Sequence, residues 1–357
     1  VLTITSSDTG EATVTTPLTF TNANWNTPQT VTVTGVDDSG VVDGDQVSTL
    51  TIAVDDANSD NDFDDVANQT VSATTIDDDV AGFTVAQTDG STSVAETGTT
   101  DTFTVVLTAQ PTSNVVLTIT SSDTGEASVA PSSLTFTPAN WNSAQTVTVT
   151  GVDENVVDGD QNSNITVAVL DAASDDSFDD LADQTVSATT TDNDVAGFTV
   201  AQTDGSTSVA ETGTTDTFTV VLNAQPASNV VLLISSSDTG EATVNTPFTF
   251  SPENWNTPRT VTVTGVDDNL VDGTITSTIT ITVDDANSDN NFDPVADQTV
   301  SVTTTDDDTA GFTVVESDGS TSVSETGTTD TFTVVLNAQP ISDVVVLAMS
   351  SDDTGEA

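Results

Sequence analysis

Three stretches crowd carboxylates just ahead of a strand-like segment. They are Asp77, Asp78 and Asp79 in TTIDDDVAGFTV, Asp192 and Asp194 around Asn193 in TTTDNDVAGFTV, and Asp306, Asp307 and Asp308 in TTTDDDTAGFTV. More acidic residues recur in segments that begin Gly-Val-Asp and end Val-Asp-Gly: Asp37, Asp38 and Asp43; Asp153, Glu154 and Asp158; Asp267, Asp268 and Asp272. Glu96, Glu211 and Glu325 each precede Thr-Gly. Two like charges about 4 Å apart repel by about 1 kcal/mol in water and about 4 kcal/mol at an effective dielectric near 20. Such groups must splay into solvent or gather around a cation. An all-oxygen donor set of this size suits a hard ion such as Ca²⁺.

Absences narrow the chemistry further. The chain carries 57 acidic residues against one basic residue, Arg259, for a formal charge of −56, and has no Cys, His, Tyr or Lys. Disulfides, thiol nucleophiles and His/Cys zinc sites are excluded, as are Lys–Asn isopeptide cross-links. Nucleic acid is not an expected partner, since nothing neutralises phosphate, and anionic membranes are disfavoured for the same reason. No apolar run approaches a membrane span. Paired carboxylates can hydrolyse glycosides, but these recur in loops with no aromatic cleft, so no enzyme activity is expected. Charge serving only solubility in high salt would scatter carboxylates over strand faces; here they cluster in loops.

The elements that must position these groups come from a repeat. TGEA places its Gly at 10, 125, 240 and 355; AGFTV places Phe at 83, 198 and 312; NWN places Trp at 25, 141 and 255. The period is about 115 residues. Residues 80–194 and 195–308 are whole copies; 1–79 covers strands C to G of another and 309–357 strands A to C. The first and last twelve residues match at three periods. That suggests a window on a longer array, or ends that complement one another between molecules; the duplicated dozen favours the window.

Within 80–194, segments 81–88, 102–109, 114–120, 132–136, 144–151, 163–170 and 184–190 read as seven strands, A to G, rich in Val and Thr. Phe103, Val105 and Leu107, Val147 and Val149, and Ile165, Val167 and Val169 alternate inward. Seven short strands at even intervals predict an all-β, immunoglobulin-like sandwich. If each strand reverses the last, the A–B, C–D and E–F loops share a pole with the end of strand G. Glu96, then Asp123 and Glu126, then Asp153, Glu154, Asp158 and Asp160, then Asp192 and Asp194 meet there, where the next copy begins. The Asp triplet is then one wall of an oxygen cage.

DDDVAGFTV and DNDVAGFTV, SVAETG and GVDENVVDGD together resemble the Calx-beta domain of sodium–calcium exchangers and large bacterial surface proteins. The resemblance spans the chain as tandem copies and implies Ca²⁺ as the bound ion. It implies ligand roles for Glu96, Asp153, Glu154, Asp158, Asp192 and Asp194. In the other copies the set becomes Asp37, Asp38, Asp43, Asp77, Asp78 and Asp79, and Glu211, Asp267, Asp268, Asp272, Asp306, Asp307 and Asp308. The C–D loop, SSDTGEASVAPSS, lacks the family's Gly-x-Asp-Tyr, and Asp123 or Glu126 stands in for it.

Other motifs read more plainly. DANSDNDFDD at 56–65, with copies at 171–180 and 285–294, starts like a Ca²⁺ loop but has Ala67 at position twelve. A capped F–G turn with Phe63 tucked inward is expected. Trp25, Trp141 and Trp255 read as structural plugs rather than sugar platforms, and the sequons at Asn68 and Asn164 occupy unrelated positions. The functional expectation is a structural repeat of an extracellular adhesin or filament at the cell surface, stiffened by junction Ca²⁺. Its partners would be adjacent repeats and other copies, with the ligand at any tip undefined. The alternative is a glycan-, mineral- or cell-binding module using the B–C and D–E loops.

Overall fold

The computed structural model describes residues 1–343 and 345–355. The chain is all-β and forms β-sandwiches in tandem. Two compact units divide it: residues 1–154 with 159–193, and residues 155–158 with 194 onward. Among the described residues, no helix is long and apolar enough to cross a membrane.

In the first unit the sandwich pairs two sheets. One runs Ser133–Phe136, Val115–Ser121, Gln161–Val169, Gln184–Thr191, Thr92–Ala95; the other Ala127–Ala130, Gln145–Gly151, Thr100–Leu107, Phe83–Gln87. All seven expected strands are present, and two further ones outside the expected ranges, Thr92–Ala95 and Ala127–Ala130, extend strands A and D onto the opposite sheets. Strand A pairs antiparallel with strand B through Phe83–Gln87, then crosses, and Thr92–Ala95 runs parallel to strand G. Strand D divides at Pro131 in the same way, Ala127–Ala130 joining strand E and Ser133–Phe136 joining strand C. The second unit repeats this arrangement from Phe198–Gln202 to Gln298–Thr305.

The alternation read from the sequence produces the core. Phe103, Val105, Val147, Val149, Ile165 and Val167 are fully buried, and Val169 is half-buried at the edge. Thr occupies the outward positions opposite one another, as in Thr104 across from Thr146 and Thr102 across from Thr148. β-branched hydroxyl side chains hold strand geometry while facing water.

Two expectations need correction. Phe178 and Phe292 lie buried under the F–G turn, but Phe63 is 58 % exposed. The Trp residues are not full plugs either: Trp141 and Trp255 are half-buried against the cores, and Trp25 is 70 % exposed. The exposure of Phe63 and of Trp25 has one cause. Residues 1–79 hold no strand A or B, so Phe20, Trp25 and Phe63 line an open cleft with Leu2 and Val54 rather than a closed core.

The F–G turn itself is capped as expected. Asp175, 5 % exposed, accepts from the N–H and hydroxyl groups of Thr112 and Ser113 and from the Ser177 N–H. Burial raises its carboxyl, but the Thr112 hydroxyl and these amides outweigh it and hold the group below the ordinary range.

Candidate metal centre

Strand pairing delivers the carboxylates to one pole. The parallel run of Thr92–Ala95 along strand G sets Ala95 opposite Thr191, and the Glu96 N–H donates to the Thr191 carbonyl at 3.2 Å. Glu96 therefore sits beside Asp192. The base of the E–F loop is drawn to the same place by Gly151, where a Cβ would lie 2.1 Å from the Ala95 carbonyl oxygen; Gly265 meets Ala210 in the same way. Any side chain there would force the two loops apart. In the C–D loop, Asp123 closes its own turn by accepting from the Gly125 N–H at 2.9 Å, and the next acidic residue, Glu126, turns in.

The result in the first unit is a trio, Glu96, Glu126 and Glu154, each contributing an oxygen within 4.8 Å of the others, with an oxygen of Glu96 equally close to Asp192. Glu96 is fully buried and Glu126 is 7 % exposed. The copy in residues 1–79 gathers Glu11, Asp38 and Asp43, and separately Asp37, Asp78 and Asp79. Burial raises the carboxyls of Glu11 and Asp38, and Asp43 adds to both.

In the second unit Glu211, Asp268 and Asp308 come within the same span. Glu211 is 1 % exposed and Glu241 5 %. Neither oxygen of Glu211 accepts a hydrogen bond of normal geometry, nor do Oε2 of Glu241, Oδ1 of Asp272 and Oδ2 of Asp308. Burial, then the charge of Asp306, pushes the Glu211 carboxyl up to about 7, opposed only in part by the nearby Asp307 N–H. Glu241 is raised by burial and then by Asp272, and Asp308 by burial and then by Asp306. Unpaired buried carboxylates are costly. An all-oxygen set with several unsatisfied lone pairs fits Ca²⁺, which takes six to eight oxygens.

Members of the Asp triplets have different duties. Asp77 accepts from the N–H groups of Asp43, Gly44 and Asp79 at 3.1, 2.8 and 2.8 Å. The Asp79 N–H does most to hold its carboxyl below the ordinary range. Asp192 takes the Gly159 N–H, and Asp306 those of Gly273 and Asp308. The first Asp thus staples strand G to the E–F turn, Asp79 adds a second staple by accepting from the Gly40 N–H at 2.8 Å, and Asp78 and Asp79 face Asp37. At the equivalent place in the next copy, Asn193 donates its side-chain N–H to Asp153 at 3.1 Å and its backbone N–H to Glu96 at 3.2 Å. An amide proton stands there where the first copy brings two carboxylates together. Asp267 and Asp307 are exposed, and Asp158 and Asp194 fall in the second unit.

Glu126 is among the residues the sequence places at the pole; its counterparts Glu11 and Glu241 are the candidates that spacing alone underrates. Their signal is the constant TGEA, in which Asp-Thr-Gly makes the turn and leaves Glu at its exit.

No protein-family model matches the chain, and no curated protein matches it. Among solved structures, the surface-layer protein SbsC, domains 4–9, is 18% identical over 88% of this chain and 40% of its own, with a TM-score of 0.26. The chain thus spans less than half of that structure's length. SbsC domains 4 and 5 are 18% identical over 63% of this chain and 98% of their own (TM-score 0.27). The calcium-binding domain CBD12 of CALX1.1 is 13% identical over 56% and 79% (TM-score 0.23).

Proposed function

We propose that the chain is a structural repeat segment of an extracellular surface adhesin or filament, with Ca²⁺ held by the carboxylates at the G-strand pole of each sandwich. The observation that carries this reading is Glu211: a glutamate 1 % exposed, with no hydrogen bond of normal geometry at either oxygen, facing Asp268 and Asp308. Glu96 and Glu211 would be the central ligands, Glu126 and Glu241 the C–D ligands, and Glu154, Asp268, Asp192 and Asp308 would complete the shells. The ion would supply the positive charge that one Arg in 357 residues cannot. It would bind the C–D and E–F loops and the end of strand G to the A–B turn, and so stiffen the region from which the next repeat starts. Adjacent repeats and other copies of the chain are the proposed partners.

The Glu96→Gln, Glu211→Gln double variant tests this. Glutamine keeps the volume and removes the charge. In chelator the variant is expected to melt at or above the wild type, because two buried repelling carboxylates are gone. In millimolar Ca²⁺ it should lose most of the rise in melting temperature that the wild type gains. An equal calcium-dependent rise in both proteins would remove these glutamates from the site.

A further inference from the structure

The tip of the E–F loop does something that the carboxylates around it do not explain. Val41 and Val42 form a two-residue strand, parallel to Gln110–Pro111 of the following repeat. Val156–Val157 pairs identically with Gln225–Pro226, and Leu270 bridges to Gln339. In all three copies the Gln of Ala-Gln-Pro donates its N–H to the tip: Gln110 to Gly40 at 2.5 Å, Gln225 to Asn155 at 2.7 Å, Gln339 to Asn269 at 2.6 Å. The contact is apolar beneath. Val42, 7 % exposed, belongs to the core that contains Phe83, Leu107 and Ala109; Val157, 8 % exposed, belongs to that of Phe198, Leu222 and Ala224. In the second unit Asn291 of the F–G turn also donates to the Val157 carbonyl at 2.7 Å.

We propose that the Ala-Gln-Pro turn is a docking socket for the E–F tip of the preceding repeat, and that each sandwich needs this tip to complete its core. A hairpin loop otherwise has no reason to hold an apolar residue away from water at its tip. Here Val42 and Val157 are buried at their tips while Leu270 is half-buried at the third, and each tip finds its cover in sequence about 70 residues downstream. Consecutive sandwiches then fold and open as coupled neighbours, as in other linear repeat proteins whose stability lies partly in the interfaces. The coupling uses apolar burial and backbone pairing, so it goes beyond the metal reading and does not depend on an ion.

Hydrogen exchange on the full chain, in chelator, tests this separately from calcium binding. Val42→Asp places a charge in the socket. Amides of Thr100–Leu107 and Val115–Ser121, in the following repeat, are expected to exchange about tenfold faster or more, while Gln46–Val54 and Gln69–Thr75, in the tip's own repeat, keep their protection. Val42→Thr, nearly the same shape with one hydroxyl, should show the same pattern more weakly, and Val42→Ile should restore protection. Loss confined to Gln46–Val54 and Gln69–Thr75, or no loss in any strand, would overturn the proposal. If Val42→Asp unfolds the whole chain, the Thr and Ile variants decide by the same comparison.

Discussion

In chelator the protein is expected to melt far below its temperature in millimolar Ca²⁺, and Mg²⁺ should recover little of the difference. Each site at a hundredfold its dissociation constant adds about 2.7 kcal/mol to the folded state, and the cages recur along the chain. Mg²⁺ keeps its own waters and an octahedral shell, so it accepts such crowded carboxylates poorly. Proton linkage gives the effect a second signature. The Glu211 carboxyl is raised from 4.5 to about 7 in the folded protein, by burial first and then by Asp306. A group with a raised folded pKa contributes stability that is complete below the unfolded value and lost as pH rises through the folded one. Without metal, stability should therefore fall between about pH 4.5 and pH 7. With Ca²⁺ the trend should reverse, because the ion competes with that proton and binds better once it has left. Calorimetric scans at pH 5 and pH 7.5, with Ca²⁺ and with chelator, check both signs. Superposed scans in the two conditions would refute ion-dependent stability.

Phe178→Ala should destabilise its sandwich by about 3–5 kcal/mol, the cost of a large cavity in a closed aromatic core. In this 357-residue chain, where no strand A or B covers it, Phe63→Ala, the same motif position one repeat earlier, should cost less than about 0.5 kcal/mol, as surface changes do. The contrast follows from exposure, nil for Phe178 and 58 % for Phe63. Trp141→Ala should fall between the two, since that side chain only half-covers the core. Denaturant unfolding followed by exchange in Gln161–Val169 and Gln46–Val54 separates the repeats. Equal costs at the two Phe positions would mean that the cleft around Phe63 closes in solution.

How much of this was legible in the residues depends on the range of the interaction. Period-2 alternation in Phe103, Val105 and Leu107 is local and marks the core correctly, and the pole shared by Glu96, Glu126 and Glu154 follows from simple strand reversal. What escaped was non-local. Val41–Val42 is too short to read as a strand, and its partner lies 69 residues on. The burial of Phe63 and Trp25 depends on strands that 1–79 does not contain, which no motif in the neighbourhood reveals. Glu11 and Glu241 look like turn residues because Asp8 and Asp238 beside them are turn residues, accepting from Gly10 and Gly240. The unequal duties within Asp77, Asp78 and Asp79 depend on which backbone N–H groups reach them, and three identical letters do not encode that.

Isothermal titration of the metal-free chain with Ca²⁺ tests the central claim most directly. The predicted result is saturable binding of several ions per chain at sub-millimolar to millimolar concentration, with proton release near neutral pH. Asn193→Asp, which replaces the amide donor to Asp153 with a carboxylate, should raise the count by one. No saturable heat up to several millimolar Ca²⁺, with the count unmoved by Asn193→Asp, would contradict the account: the buried glutamates would then be held by protons rather than by metal.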